Sequence, residues 1–360
     1  MTKRILITGG SGFVGSNLAV DLVTRGYEVT VLDDLSRRGS EILLKKRILS
    51  HGVKFVRGDI RKSGDLGKLK ETFALLIECS AEPSVLAGTQ GQSARRLLDI
   101  NLQGAIHCFD WARERRVPVL FLSSSRIYPY DRLNACRYRE TGTRFDLEEG
   151  CEGVGPHGVR TEMPLHGIRS LYGASKLCAE LILREYAVQY DLPAIIDRCG
   201  VIAGPWQLGR VDQGVFTFWL AQHYFKKPLK YIGFGGMGKQ VRDLLHVQDL
   251  AELVAKQAQY LIGDKPVYRG EIFNVGGSSR SNLSLREATD ICGQLTGNSM
   301  AIGSISEPRP ADMIWYITDN GNTEEVFDWK PQRSSRKILE DTFLWLRDHE
   351  TDFKKIFLGS

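Results

Sequence analysis

The chain has 360 residues, 42% of them hydrophobic and 25% charged, ordinary globular values that exclude a disordered chain. The formal net charge is only +5, without a dense Lys/Arg face or an aromatic-basic repeat, so nucleic acid is not an expected partner. No stretch approaches the ~20 apolar residues of a membrane span. MTKRILITGG enters a strand directly, with no apolar signal core, so neither a membrane nor a secretory route is expected and a cytoplasmic location is.

Ile5–Ile7 is a short apolar run ended by glycines and reads as a buried parallel strand. Phe13 to Arg25 has helical spacing with a stop at Gly26. Further buried strands are expected at Val29–Leu32, Val53–Val56, Leu75–Cys79 and Pro118–Leu122, with a helix at Asn101–Arg113. Asp131 to Ile168 is polar, without a sustained period, and reads as a lid or binding excursion. A helix is expected at Tyr172–Tyr190 and a strand at Pro193–Asp197. After Gly204-Pro205 the chain turns aromatic and glycine-rich, then shows short helices from about residue 249. Strand–helix alternation with buried strands implies an α/β fold, a doubly wound parallel sheet of Rossmann type, over residues 1–203. Residues 204–360 are expected to form a smaller C-terminal α/β substrate-binding lobe interleaved with it. The seven cysteines are odd in number and contain no C-x-x-C pair. They read as dispersed thiols, with neither a disulfide framework nor a metal site.

Gly9-Gly10-Ser11-Gly12-Phe13-Val14-Gly15 lies between the first strand and the first helix. A turn without Cβ atoms lets the backbone approach a pyrophosphate, and the helix N-terminus supplies free N–H groups and a positive dipole end. Asp33 ends the second strand and can accept both ribose hydroxyls, which favours NAD over NADP. Arg37 and Arg38 pull the other way, since a basic pair there can hold a 2′-phosphate. Asp59-Ile60 ends the third strand, where it either borders the adenine or caps its own loop.

Tyr172 and Lys176 are four apart on one helical face. A phenol is a poor base at neutral pH, and a nearby ammonium favours its phenolate. Ser123-Ser124-Ser125 ends the fifth strand, where open α/β sheets bind ligands. A serine hydroxyl there can bond a reacting sugar oxygen, although strand-end capping explains some of the three.

Thr8-Gly9-x-x-Gly12-x-x-Gly15, Gly58-Asp59-Ile60-Arg61, the serines before Ile127-Tyr128, and Tyr172-x-x-x-Lys176 together resemble the extended short-chain dehydrogenase/reductases over nearly the whole chain. Members act on nucleotide-linked sugars as epimerases, dehydratases or decarboxylases. The resemblance implies an NAD-dependent enzyme acting on a CDP- or UDP-linked sugar, and a homodimer. It makes Ser124, Tyr172 and Lys176 catalytic, Ser124 because it lies four before Tyr128. It assigns to the cofactor Gly9, Gly12, Phe13, Val14, Gly15, Asp33, Asp34, Arg37, Asp59, Ile60, Ser80, Ala81, Asn101 and Cys199, besides Tyr172 and Lys176. To the substrate it assigns Ser125, Arg126, Gln213, Gln240, Arg242, Arg309 and Asp312, with Arg242 and Arg309 suited to diphosphate oxygens.

A narrower set of segments resembles the branch that epimerises C2 of CDP-linked sugars. It comprises Asp34–Arg37, Tyr138–Phe145, Asp212-Gln213-Gly214, Gly238–Asp243, Asn274–Gly277 and Asn282–Leu285. The chain also departs from the family. Glu78-Cys79-Ser80-Ala81-Glu82 stands where His-Leu-Ala-Ala-Gln is common, and Gly200-Val201-Ile202-Ala203-Gly204-Pro205 where Ser-Asn-x-Tyr-Gly-Pro is. These leave the sugar, the base and the oxidised carbon open, with 4-epimerisation the alternative. Dehydration ranks lower because Ser125-Arg126, in place of an acidic pair, follows Ser124. The three intact catalytic candidates argue against a non-catalytic NAD-binding sensor.

Overall fold

The computed structural model describes residues 3–89, 93–210, 213–263 and 268–358. Asp212 of the expected Asp-Gln-Gly segment lies outside the described residues.

Contacts divide the chain into two compact units. The first comprises Met1–Ser124, Leu171–Arg198 and Ala251–Phe273; the second comprises Ser125–Ser170, Cys199–Leu250 and Asn274–Ser360. The polar excursion goes to the second unit, and Ala251–Phe273 returns to the first. The two are of similar length.

The first unit is built on strands β1 (Arg4–Thr8), β2 (Glu28–Asp33), β3 (Lys54–Arg57), β4 (Leu75–Glu78), β5 (Val119–Ser124), β6 (Ala194–Cys199) and β7 (Arg269–Val275). They form one sheet in the order β7-β6-β5-β4-β1-β2-β3. The ladders β1–β2, β1–β4, β2–β3 and β4–β5 are parallel. The order reverses beside β1, and ligands of open α/β sheets bind where strand order reverses. Four helices matter for the site: α1 (Phe13–Thr24), α2 (Gly104–Arg115), α3 (Leu171–Gln189) and α4 (Val247–Ile262). Leu6, Leu32, Leu76, Phe121 and Ile196 of the sheet share a core with Phe109 of α2 and Leu183 of α3. Phe109 meets Phe121 edge to face at 5.4 Å. Strands buried on both faces carry apolar side chains on both, which is why β1, β2, β4 and β5 read as continuous apolar runs.

The helices expected from about residue 249 are present: α4, then Leu285–Thr296, Gly321–Phe327, Ser335–Asp348 and Glu350–Leu358. Between the first two runs β7, which extends the central sheet.

In the second unit, Val241–His246 pairs in parallel with Val201–Ala203 and Trp315–Tyr316, and antiparallel with Asn282–Ser284. Its core packs Phe216, Trp219, Leu220, Tyr231, Leu244, Ala288 and Ile338. Trp219 stacks on Tyr231 at 5.5 Å. The Trp219 indole and the Tyr231 hydroxyl both donate to the Thr289 hydroxyl, at 2.9 and 2.7 Å. The excursion is structured: helix Tyr130–Asn134, then the antiparallel pair Arg137–Glu140 and Phe145–Glu149. The reading of all seven cysteines as separate thiols is also corrected, because Cys136 and Cys151 at the two ends of that pair form a disulfide. Among the described residues no helix is long and apolar enough to cross a membrane.

Candidate active site

The glycine turn is fixed by close approach. A Cβ on Gly15 would lie 2.4 Å from the Gly9 carbonyl oxygen, and one on Gly9 would lie 2.9 Å from Ser80 Cα. Gly9 also takes φ +66°, which a side chain rarely adopts. The Gly12 amide donates to the Gly9 carbonyl at 3.0 Å, closing the turn. Gly12 then caps α1 without a side-chain bond, and the first turn, with Phe13 and Val14, carries no acid. This glycine cradle at a helix N-terminus fits a pyrophosphate.

Asp33 serves the same turn. Its carboxylate accepts from the Ser11 amide at 2.9 Å and the Leu35 amide at 2.8 Å. Burial pushes the carboxyl up, against those two backbone bonds. Asp33 thereby ties the end of β2 to the turn and keeps acceptor capacity on both oxygens for a ribose diol. Asp34 accepts from the Ser36 amide at 2.8 Å, and Arg37 is half-buried beyond it.

Asp59 shows the capping geometry. It accepts from the Arg61 amide at 3.0 Å and from the Arg61 guanidinium at 2.7 Å. Burial pushes its carboxyl up, but the Arg61 bonds outweigh this and hold it below the usual range. Ile60 is a core side chain. Asn101 is buried in a π-helical turn; such turns recur at functional sites. Its amide group bonds both backbone groups of Glu82, at 2.8 and 3.1 Å, and donates to the Ser175 hydroxyl at 3.3 Å. The Ser175 hydroxyl donates to the Tyr172 carbonyl at 2.7 Å. Asn101 is thus a strut from the loop after β4, which carries Ser80 and Ala81, to the first turn of α3.

Tyr172 and Lys176 lie buried on one face of α3. The Lys176 ammonium donates to the Leu122 carbonyl of β5 at 2.9 Å and stands 4.4 Å over the Phe121 ring. The three serines now separate. Ser123 donates its hydroxyl to Glu180, which pairs with Arg198 at 2.8 Å in a buried cluster. Ser124 ends β5 in the first unit, and Ser125 opens the second. Sequence reasoning did not single out Glu180, Arg198 or Ser175. Only their place on the expected helix and strand marked them.

The substrate candidates belong to the second unit. Arg242 is buried; its guanidinium donates to the Asp312 carboxylate at 2.9 Å, the Met313 carbonyl at 2.7 Å and the Val241 carbonyl at 2.7 Å. Burial pushes Arg242 down, with Asp312 opposing. Asn134 holds the same segment, donating to the Asp312 carbonyl at 3.0 Å and accepting from the Ile314 amide at 2.9 Å. Arg126 donates to the Ala311 carbonyl at 3.2 Å, and the Arg309 carbonyl accepts from the Asp312 amide at 3.2 Å. Gln240 donates to the Ile232 carbonyl at 2.7 Å. Gln213 closes a turn with Arg210. Cys199 is buried at the end of β6.

Three of the narrower segments meet. Lys239 donates to the Thr141 carbonyl at 2.7 Å, the Ser284 hydroxyl donates to the Thr143 carbonyl at 2.7 Å, and Arg144 bonds Asn282. Asn274 accepts from the buried Tyr128 hydroxyl at 2.6 Å and donates to the Val159 carbonyl at 2.8 Å. These motifs are therefore a mutual scaffold of the second unit.

The family model described as Epimerase, the NAD dependent epimerase/dehydratase family, matches residues 5–276. The chain is 27% identical over 348 residues to "CDP-paratose 2-epimerase" of Salmonella typhi, covering 95% of this chain and 98% of that one. It is 25% identical to "dTDP-glucose 4,6-dehydratase" of Xanthomonas campestris pv. campestris, covering 99% and 96%. The fold is similar to a solved UDP-glucose 4-epimerase of Thermus thermophilus in complex with NAD, with TM-score 0.74 and 24% identity, covering 96% and 99%.

Proposed function

The chain belongs to the NAD-dependent epimerase/dehydratase family, and from that premise we propose that it epimerises a nucleotide-linked sugar, C2 of a CDP-linked sugar first among the candidates. The observation that carries the reading is the acid–base pair on α3, with Lys176 anchored to β5 and Tyr172 one turn before it.

Tyr172 takes the proton of a sugar hydroxyl while Ser124 holds that oxygen. NAD, the family cofactor, would be held by the Gly9–Gly15 turn and Asp33 and would supply a reversible hydride acceptor for the carbinol carbon. A keto sugar that turned over in the site would be reduced on its other face, with Tyr172 returning the proton. Oxidation and reduction cancel, and no NADH accumulates. Arg309 carries a guanidinium group suited to the diphosphate, while Arg242 is already engaged by Asp312, Met313 and Val241. Arg126 after Ser124–Ser125, where a dehydratase needs an acid to expel water, favours epimerisation. The relative that acts on CDP-paratose supports the CDP-linked substrate, and a UDP-sugar 4-epimerase is the alternative. A homodimer in the cytoplasm goes with this reading.

Incubation with CDP-paratose, followed by proton NMR, should show inversion at C2 without net NADH. Inversion at C4 of a UDP-hexose instead selects the alternative. No inversion with any CDP- or UDP-hexose overturns the reading.

A further inference from the structure

Glu78, the last residue of β4, is fully buried and takes no part in the chemistry described so far. Its Oε1 accepts from the Ser80 amide at 2.9 Å and the Thr8 hydroxyl at 3.4 Å. Its Oε2 has no hydrogen-bond partner and faces the Lys176 ammonium at 3.9 Å. The other titratable neighbours are thiols: Cys79 after the same strand and Cys108 on α2. Burial pushes both well up, with Glu78 adding to it, so they stay neutral. Asp33 at the end of β2 adds to the rise of Cys79. Lys176 is the cation of this cluster.

We propose that Glu78 is a positioning residue of the catalytic group, a carboxylate counter-ion that sets how far the Lys176 ammonium draws Tyr172 toward phenolate. The inference rests on Tyr172 and Lys176 being the acid–base pair of the proposed reaction. Oε2 makes no hydrogen bond and faces an ammonium, an arrangement that suits an anion better than a neutral acid. Burial pushes the Glu78 carboxyl up, while Lys176, the Ser80 amide and the Thr8 hydroxyl oppose it. While Glu78 is anionic, it offsets part of the field that Lys176 exerts on Tyr172, and removing its charge strengthens that field. The family resembled here commonly has a histidine in this place, so the anion beside the lysine belongs to this chain's own design.

The test is an ultraviolet difference titration of the full-length, NAD-loaded protein. The unaltered chain and Glu78→Gln are each read against the same chain carrying Tyr172→Phe, so that only the Tyr172 phenolate is seen. Glu78→Gln should move phenolate formation to lower pH by about one unit, and the acid limb of the pH–rate profile in the same direction. Should Glu78→Gln fail to fold, Glu78→His, neutral above its own titration, should give the same shift. An unmoved midpoint in a folded, NAD-binding Glu78 variant overturns the proposal. Turnover that survives Tyr172→Phe overturns the role given to Tyr172 instead, and the titration, which needs no turnover, separates the two failures.

Discussion

Around Gly9–Gly15 the candidate binding surface is backbone, whereas around Arg242 it is side chains already bonded to one another. The first is shaped by what is missing: a Cβ at Gly15 would sit 2.4 Å from a carbonyl oxygen. The second is shaped by what is present: a buried arginine satisfied by one carboxylate and two carbonyls. A backbone cradle needs a fixed spacing of one residue type and so leaves a motif. A side-chain network draws partners from residues about seventy apart, such as Arg242 and Asp312, and leaves none.

The largest expected effect comes from adding one methyl group to the first region. Gly15→Ala should cost about 3 kcal/mol of overpacking, most of it felt in the turn, and weaken NAD roughly a hundredfold by isothermal titration. Unchanged affinity would mean that the turn is not the pyrophosphate cradle.

Removing a whole side chain from the second region should act on stability. Arg242→Met leaves Asp312 without its cation and should cost roughly 2 kcal/mol in urea unfolding, less than a fully buried pair because Asp312 is partly exposed. If stability holds and only KM rises, Arg242 serves the substrate rather than the scaffold.

The smallest effect separates two buried carboxyls, one in each unit. Burial raises Asp197 on β6 to about 7, with Gln257 of α4 opposing at 2.8 Å. Burial raises Asp243 only to about 6, because Thr318 and Ser278 donate backbone amides at 3.1 and 3.2 Å. A raised carboxyl contributes stability that is present below its unfolded value and lost as pH rises through the folded one. Asp197→Asn should therefore flatten the fall of Tm between about pH 4 and about pH 7. A Tm profile parallel to that of the unaltered chain would remove Asp197 from the account.

What could be read beforehand follows the same contrast. β1, β2, β4 and β5 announce themselves because both faces are buried, and Tyr172 with Lys176 because helical spacing puts them on one face. The pair Arg137–Glu140 and Phe145–Glu149 was illegible because its faces are mostly exposed and charged, so no apolar alternation survives. The Cys136–Cys151 bond had no signal, since fifteen residues of irregular spacing say nothing about where two ends meet. Glu78 was visible only as a misfit to a familiar segment. That it faces Lys176, ninety-eight positions later, is set by the order of strands, which no local pattern encodes.

Ala251–Phe273 belongs to the first unit, and β7 forms an edge of its sheet. During synthesis, that edge cannot be added until residue 275, more than three-quarters of the way along the chain, has left the ribosome. Until then β6 is a growing sheet's open border, with unpaired amides and carbonyls that another nascent chain can match. Assembly of the first unit therefore waits on sequence written long after its glycine turn, and the risk of misassociation is greatest during that wait.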